Sequence, residues 1–366
     1  MYNDAFLKKK LQERLTQNAF RKLRLPEDKI DFCSNDYLGI VKNNLIGESS
    51  VMNSAWKTGS TGSRLLSGNY PLIEEVEKEL AAFHEADTAL IFNSGYDANL
   101  SAISCIPQRG DTIIYDQLCH ASIRDAIRLS FAQSYSYAHN DVDNLERRLN
   151  QTEGNVFVIT ESVFSMDGDI CPLTTIAALC ERYKAHLVID EAHATGIIGE
   201  RGEGLVQQLG LQKKIFCRIH TFGKAVGCHG AVVLGSQQLR DYLINFARSF
   251  IYSTSLPEHS LACIKAGYEI FPQMQEERNH LKKMIAHFQL ASLRHERLPS
   301  TTPVQVVVIP GNDAVKNVAD NLQQNKLDVR AILHPTVPRG AERLRIVLHA
   351  FNTMEELDKL IVYLNA

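Results

Sequence analysis

Apolar and polar positions alternate in blocks through the middle of the chain. Short apolar runs at 88–92, 112–115, 156–160 and 186–189 are separated by segments of helical period. Two further runs, 215–220 and 231–234, are joined by a turn containing Gly227 and Gly230. Strands alternating with helices predict an α/β fold with a mostly parallel sheet covered on both faces. Nearer the N-terminus, 5–23 reads as a basic amphipathic helix. Leu7, Leu11 and Leu15 form its stripe, with Lys8, Lys9, Lys10 and Arg14 off it. A Gly- and Ser-rich stretch, 59–69, precedes a helix opening at Pro71 with Leu72, Val76 and Leu80 at four-residue spacing, so the stretch is a loop within a domain. Past about residue 261, apolar runs at 305–309 and 344–348 and a helix over 313–324 predict a smaller α/β domain. The expected division is 1–45 as N-terminal helix and arm, 46–260 as the large domain and 261–366 as the small C-terminal domain.

Composition narrows the functional classes. A chain of 366 residues is long enough for two domains and a large core. Its net charge of −3 offers no basic footprint for nucleic acid. Eight scattered cysteines without a Cys-x-x-Cys pair suit free thiols in a reducing compartment and argue against zinc. Met1-Tyr2-Asn3-Asp4 opens no signal peptide, and no apolar run would span a bilayer, so a cytoplasmic location is expected.

In an open parallel sheet, ligands gather beyond the carboxyl ends of the strands. The polar residues after each run are therefore the candidates. After 88–92 comes Asn93-Ser94-Gly95-Tyr96, a glycine turn opening a helix, whose free N–H groups suit a phosphate. After 112–115 comes His120, and after 156–160 the polar stretch Glu161-Ser162-Val163-Phe164-Ser165. After 186–189 comes Asp190-Glu191-Ala192-His193, and after 215–220 Thr221-Phe222-Gly223-Lys224. A lysine with backbone close on every side can be desolvated toward a lower pKa, as a Schiff-base lysine requires.

Asp-Glu-Ala-His also occurs in helicase ATPases, but no Gly-x-x-x-x-Gly-Lys-Ser/Thr loop accompanies it here. A metal site lacks a third ligand at a convincing spacing. A structural Asp–His hydrogen bond remains open. Pyridoxal phosphate demands a Schiff-base lysine and an acid for its pyridine nitrogen, and Lys224 and Asp190 supply both types.

Several runs together carry a resemblance: Asn35-Asp36-Tyr37-Leu38-Gly39, His139-Asn140-Asp141-Val142, Val163-Phe164-Ser165-Met166-Asp167-Gly168-Asp169, Asp190-Glu191-Ala192-His193-Ala194-Thr195-Gly196, Thr221-Phe222-Gly223-Lys224, Phe250-Ile251-Tyr252-Ser253-Thr254-Ser255-Leu256-Pro257, Pro335-Thr336-Val337-Pro338-Arg339-Gly340 and Arg343-Leu344-Arg345. In this order they resemble the α-oxoamine synthases over nearly the whole chain. The resemblance implies the pyridoxal-phosphate transferase fold of type I, a seven-stranded, mostly parallel sheet between helices plus a smaller C-terminal domain. It implies a homodimer with shared active sites. Lys224 would hold the cofactor and act as acid–base. Asp190 would pair with the pyridine nitrogen, His193 with the ring hydroxyl, and His120 would stack on the ring. Gly95 and Tyr96 would offer the phosphate site, with Ser162 and Thr221 nearby and Ser253 or Thr254 reaching the phosphate of the other subunit. Arg345 would fork onto the amino-acid carboxylate beside Asn35, and Arg21 and Thr336 would touch the acyl donor. The implied reaction joins L-alanine to a pimeloyl thioester, on CoA or an acyl carrier protein, in biotin biosynthesis. The alternative is a sister synthase using glycine or serine with another acyl-CoA, of the aminolevulinate, aminoketobutyrate or sphingolipid type. Two departures stand out: little room for an N-terminal hairpin between Leu25 and Asp31, and Cys228-His229 where small or apolar residues are usual.

Overall fold

The computed structural model describes residues 2–23, 25, 28–49 and 56–366. In chain order its elements begin with helix α1 (Lys8–Thr16) and the two-residue strand β1 (Ile30–Asp31). Helix α2 (Pro71–Phe83) leads into β2 (Thr88–Phe92), α3 (Gly95–Cys105), β3 (Thr112–Asp116), α4 (Ala121–Leu129), β4 (Gln133–Tyr137), α5 (Val142–Leu149) and β5 (Val156–Glu161). Next come α6 (Leu173–Tyr183), β6 (His186–Asp190), α7 (Leu205–Gln208), β7 (Cys217–Thr221), β8 (Ala231–Gly235) and α8 (Gln237–Phe246). The short helix α9 (Arg248–Ile251) and α10 (Glu258–Ile270) follow. Helix α11 (Gln275–Leu290), β9 (Glu296–Arg297), β10 (Val304–Val308), α12 (Asn312–Gln324), β11 (Leu327–Asp328), β12 (Arg330–Ile332), β13 (Arg343–Val347) and α13 (Met354–Leu364) complete the order.

Contacts divide the chain into two compact units, one of residues 35–165 and 170–278, the other of 1–34, 166–169 and 279–366. The larger unit holds the seven-stranded sheet, in the order β2-β8-β7-β6-β5-β3-β4. Only β8 runs against its neighbours, β2 and β7; the remaining pairs are parallel. The mostly parallel sheet read from the apolar runs is therefore present. Period-2 alternation sends successive strand residues to opposite faces. Ile113, Ile159, Val188 and Ile219 pack on one face with Ala98 and Ala102 of α3 and Ile123 of α4. Ile114, Val158, Leu187 and Ile189 pack on the other with Leu145 of α5 and Ile176 of α6.

Two elements of this unit differ from the sequence expectation. Strand β4, Gln-Ser-Tyr-Ser-Tyr, has no apolar run to announce it, because it is one of the sheet's two outer strands and, unlike β2 at the other edge, is mostly exposed. Helix α2 buries Ile73, Val76, Glu77 and Leu80, while Leu72 of the expected stripe is only half-buried. Glu77 goes inward because its carboxylate takes Arg64 at 2.6 Å, Arg240 at 3.0 Å and the Ile91 N–H at 2.9 Å.

The other unit is built on the antiparallel sheet β12-β13-β10-β9. The expected 5–23 helix is shorter: a turn of 3-10 helix at Ala5–Leu7 and then α1. It stops because Asn18 adopts φ +48° and gives its amide to Asp313 and its carbonyl groups to Lys316. Strand β1 pairs with β11, and Val347 N–H donates to the Phe32 carbonyl, so residues 1–34 group with the C-terminal part. The narrow segment between Leu25 and Asp31 includes residues 26–27, which lie outside those described. Among the described residues no helix is long and apolar enough to cross a membrane.

Truncating Ile159, 1% exposed in central strand β5, is expected to cost about 3 kcal/mol through lost burial and a residual cavity. Tyr135→Ser on outer strand β4 should cost less than about 1 kcal/mol. Urea denaturation of the two variants measures the contrast.

Candidate active site

Asp190 ends β6, where a parallel strand points its last side chain into the crevice. Only 6% of it is exposed, so its carboxylate must be met by donors. Asn99, on the inner side of α3, donates from Nδ2 to Oδ2 at 2.7 Å, and the Ala192 N–H donates to Oδ1 at 2.8 Å. Three residues on, the buried His193 has its Nδ1 2.6 Å from the Tyr37 hydroxyl, which itself donates to Asn35 Oδ1 at 3.2 Å. The expected pair Asp190 and His193 thus share one turn, each held by its own partner.

His120 caps α4, taking the Ser122 N–H on its Nδ1 at 3.2 Å, with the Ser122 hydroxyl at 2.8 Å. Its own backbone N–H donates to Glu161 Oε1 at 2.5 Å. His120 is exposed on one side, yet the protein groups crowding its other side take water from the ring and lower its pKa; the Asp190 carboxylate opposes this and the Lys224 ammonium reinforces it. His120, Asp190 and Lys224 therefore lie within one another's electrostatic reach. Glu161 feels the same groups, and burial first, then Asp190, pushes its carboxyl up to about 8.

Lys224 lies in the loop from β7 to β8, partly buried. The Gly227 N–H turns back to the Lys224 carbonyl at 2.9 Å, and Cys228 N–H reaches Phe222 O at 2.8 Å. Gly227 has φ +71° and sits where a Cβ would come within 2.6 Å of Ile40, so the turn admits only glycine. Cys228 directs its thiol at the Cys263 carbonyl, 3.0 Å away, and His229 is exposed; this explains how the unusual pair fits the loop.

Gly95 starts α3 behind the cap Ser94, whose hydroxyl accepts the Asp97 N–H. A Cβ on Gly95 would stand 3.3 Å from Thr221 Oγ1, so the helix start and the end of β7 meet closely. The Tyr96 side chain is exposed and its hydroxyl donates to Asp125. Buried Ser162 donates from N and Oγ to the Asp190 carbonyl, at 3.0 and 3.3 Å. Ser253 and Thr254 line a small cavity with Arg64 and Asn93, and Asn93 donates to the Thr254 carbonyl at 2.8 Å.

In the other unit, Arg21 donates to Thr336 Oγ1 at 3.0 Å, so those two expected residues come together. Arg345 lies mid-strand in β13, opposite Val306 and Arg330.

The sequence reading gave no role to Tyr37, Asn99, Ser122 or Glu161. Asn99 carried a signal, a polar residue in phase with the buried Ala98, Ala102 and Ile103 of α3. Glu161 stood at a strand tip, and Tyr37 within a quoted motif.

Residues 27–364 match the family model for aminotransferase class I and II. The chain belongs to the aminotransferase class I and II family. Within this family it is 40% identical over 388 residues to the 8-amino-7-oxononanoate synthase of Emericella nidulans, covering 97% of this chain and 93% of that one. It is 41% identical over 339 residues to the enzyme of the same name from Marinobacter nauticus, covering 91% and 85%. Among solved structures, 8-amino-7-oxononanoate synthase from Francisella tularensis shares 28% identity at a TM-score of 0.79, covering 93% and 98%. Serine palmitoyltransferase from Sphingomonas wittichii shares 25% at a TM-score of 0.88, covering 99% and 96%.

Glu161 makes stability depend on pH with a definite sign. Its folded carboxyl, near 8, lies above the ordinary 4.5, so its contribution is complete below 4.5 and is lost as pH rises to about 8. Glu161→Gln keeps an acceptor for His120 and removes the titration. Melting temperatures measured across this window should fall for the wild type relative to the variant.

Proposed function

We propose that this protein uses pyridoxal phosphate to join L-alanine to a pimeloyl thioester with loss of carbon dioxide, forming 8-amino-7-oxononanoate for biotin. The observation that carries the reading is 35–41% identity, over most of the chain, to curated proteins of that name. The buried carboxylate, the glycine-turn lysine and the open helix start fit this cofactor's nitrogen, aldehyde and phosphate. A neutral-donor shell around Asp190 leaves its charge for a cationic ring nitrogen.

When bound, the cofactor supplies an electron-accepting ring that stabilises negative charge at the amino-acid Cα. Lys224 is assigned its covalent attachment, and the same amine is the base that takes the α-proton. Asp190 keeps the ring nitrogen protonated, and Asn99 and the Ala192 amide keep Asp190 aimed. His193, oriented by Tyr37, takes the ring hydroxyl, and His120 covers the ring face. The N–H groups of Gly95 and Tyr96 hold the phosphate with Thr221 and Ser162. Ser253 or Thr254 reaches the phosphate of a second copy, making the enzyme a homodimer. Arg345 receives the alanine carboxylate, because a guanidinium fork matches a carboxylate, with Asn35 in support. Arg21, steadied by Thr336, meets the acyl donor on CoA or a carrier protein.

A serine-using synthase is the second reading, favoured by the higher TM-score to serine palmitoyltransferase, 0.88 against 0.79. Sequence identity favours the first.

The purified wild type should be yellow and yield a borohydride-trapped cofactor on Lys224. Lys224→Ala should lose both covalent attachment and turnover; full activity in that variant rejects the assignment. Among alanine, glycine and serine, alanine should give the largest change of the visible band. Product mass after addition of a pimeloyl thioester then identifies the reaction.

A further inference from the structure

Donor and acceptor accounting around Asp190 determines where one proton sits. Asn99 Nδ2 lies 2.7 Å from Asp190 Oδ2 and 3.1 Å from Ser122 Oγ. An ionised carboxylate only accepts, so the amide nitrogen faces it, and the second N–H of that nitrogen goes to Ser122. Accepting from Asn99, the Ser122 hydroxyl has its single proton left for His120 Nδ1, 2.8 Å away. The Ser122 backbone N–H is directed at the same nitrogen. The backbone N–H can only donate, so Nδ1 is bare, the hydroxyl proton is directed to the same nitrogen, and the neutral ring is protonated on Nε2.

We propose that Ser122 and Asn99 are positioning residues that hold His120 in the neutral Nε2–H form and couple that tautomer to the Asp190 carboxylate. The proposal deepens the function above and rests on it for the placing of His120 over the cofactor. Asn99 and Ser122 are buried to within 3% exposure, so bulk water does not replace either partner. The titratable groups around the ring are Asp190, Asp125, Lys224 and, below its backbone, Glu161, whose raised carboxyl is mostly protonated at neutral pH. Packing and Lys224 disfavour a second proton on the ring, in agreement with the accounting. A neutral imidazole covers the cofactor without competing with the ring nitrogen for Asp190. It also presents one N–H donor, at Nε2.

Nitrogen-15 NMR of histidine-labelled holoenzyme, with His120 assigned through His120→Gln, reads the proton directly. The wild type at neutral pH should show Nδ1 bare and Nε2 protonated. Ser122→Ala leaves the backbone N–H as the one remaining donor to Nδ1, so it should move part of the proton population onto that nitrogen, raise the His120 pKa toward its ordinary value and lower kcat/KM about tenfold. Asn99→Ala removes the bond that orients the hydroxyl and should shift the tautomer the same way. A protonated Nδ1 in the wild type overturns the proposal. So does an unchanged His120 spectrum in Ser122→Ala, whatever happens to activity, since that leaves these residues a packing role only. The same spectra can be read on cofactor-free chain, so they decide this point even if the reading of the function fails.

Discussion

Asp190 is a carboxylate taken almost entirely out of water at the end of a strand, and the site is arranged around keeping it charged and aimed. Leaving such a group without donors would cost several kcal/mol. Asn99 from α3 and the amide of Ala192 remove that cost while leaving the carboxylate its negative charge. Because Asn99 also reaches Ser122, the same residue links β6 to the start of α4, where His120 sits. The strand tip, two helix starts and the imidazole are thereby one hydrogen-bonded body.

The sheet makes this possible. Parallel pairing of β3, β5, β6 and β7 brings Asp116, Glu161, Asp190 and Thr221 to the same edge. Each of these ends its strand and then does a backbone task. Asp116 accepts the Leu118 and Asn140 N–H groups at 2.8 and 2.9 Å, Glu161 accepts that of His120, and Thr221 abuts Gly95. Burial sets their electrostatics as well: the pressure that raises Glu161 comes from lost water and from Asp190 together. Beneath the turn from Asp190, the wholly buried Glu191 takes the Leu205 and Val206 N–H groups, fixing the far side of the same segment.

Much of this was legible along the chain. Fully buried strands such as β5 read as unbroken apolar runs, and a ligand crevice follows from parallel order alone, so Asp190, His193, His120 and Lys224 could be picked out as strand-tip residues. Glycines at 95 and 227 marked real close approaches. Strand β4 was hidden because an outer strand half in water has no need of apolar residues. The expected helix ran on to Leu23, beyond the stripe of Leu7, Leu11 and Leu15, although Asn18 had already turned the chain.

By itself, then, the order of residues determined the fold class and the family and nominated residue types for the site, since periodicity and local motifs are properties of neighbours in the chain. Only the folded chain decided which polar groups supply one another's hydrogen bonds. Asn99 and Asp190 are 91 positions apart, and Tyr37 and His193 are 156 apart. Partners so remote are chosen by packing, because a buried donor must find an acceptor wherever the sheet and helices bring one, and no local pattern records that choice.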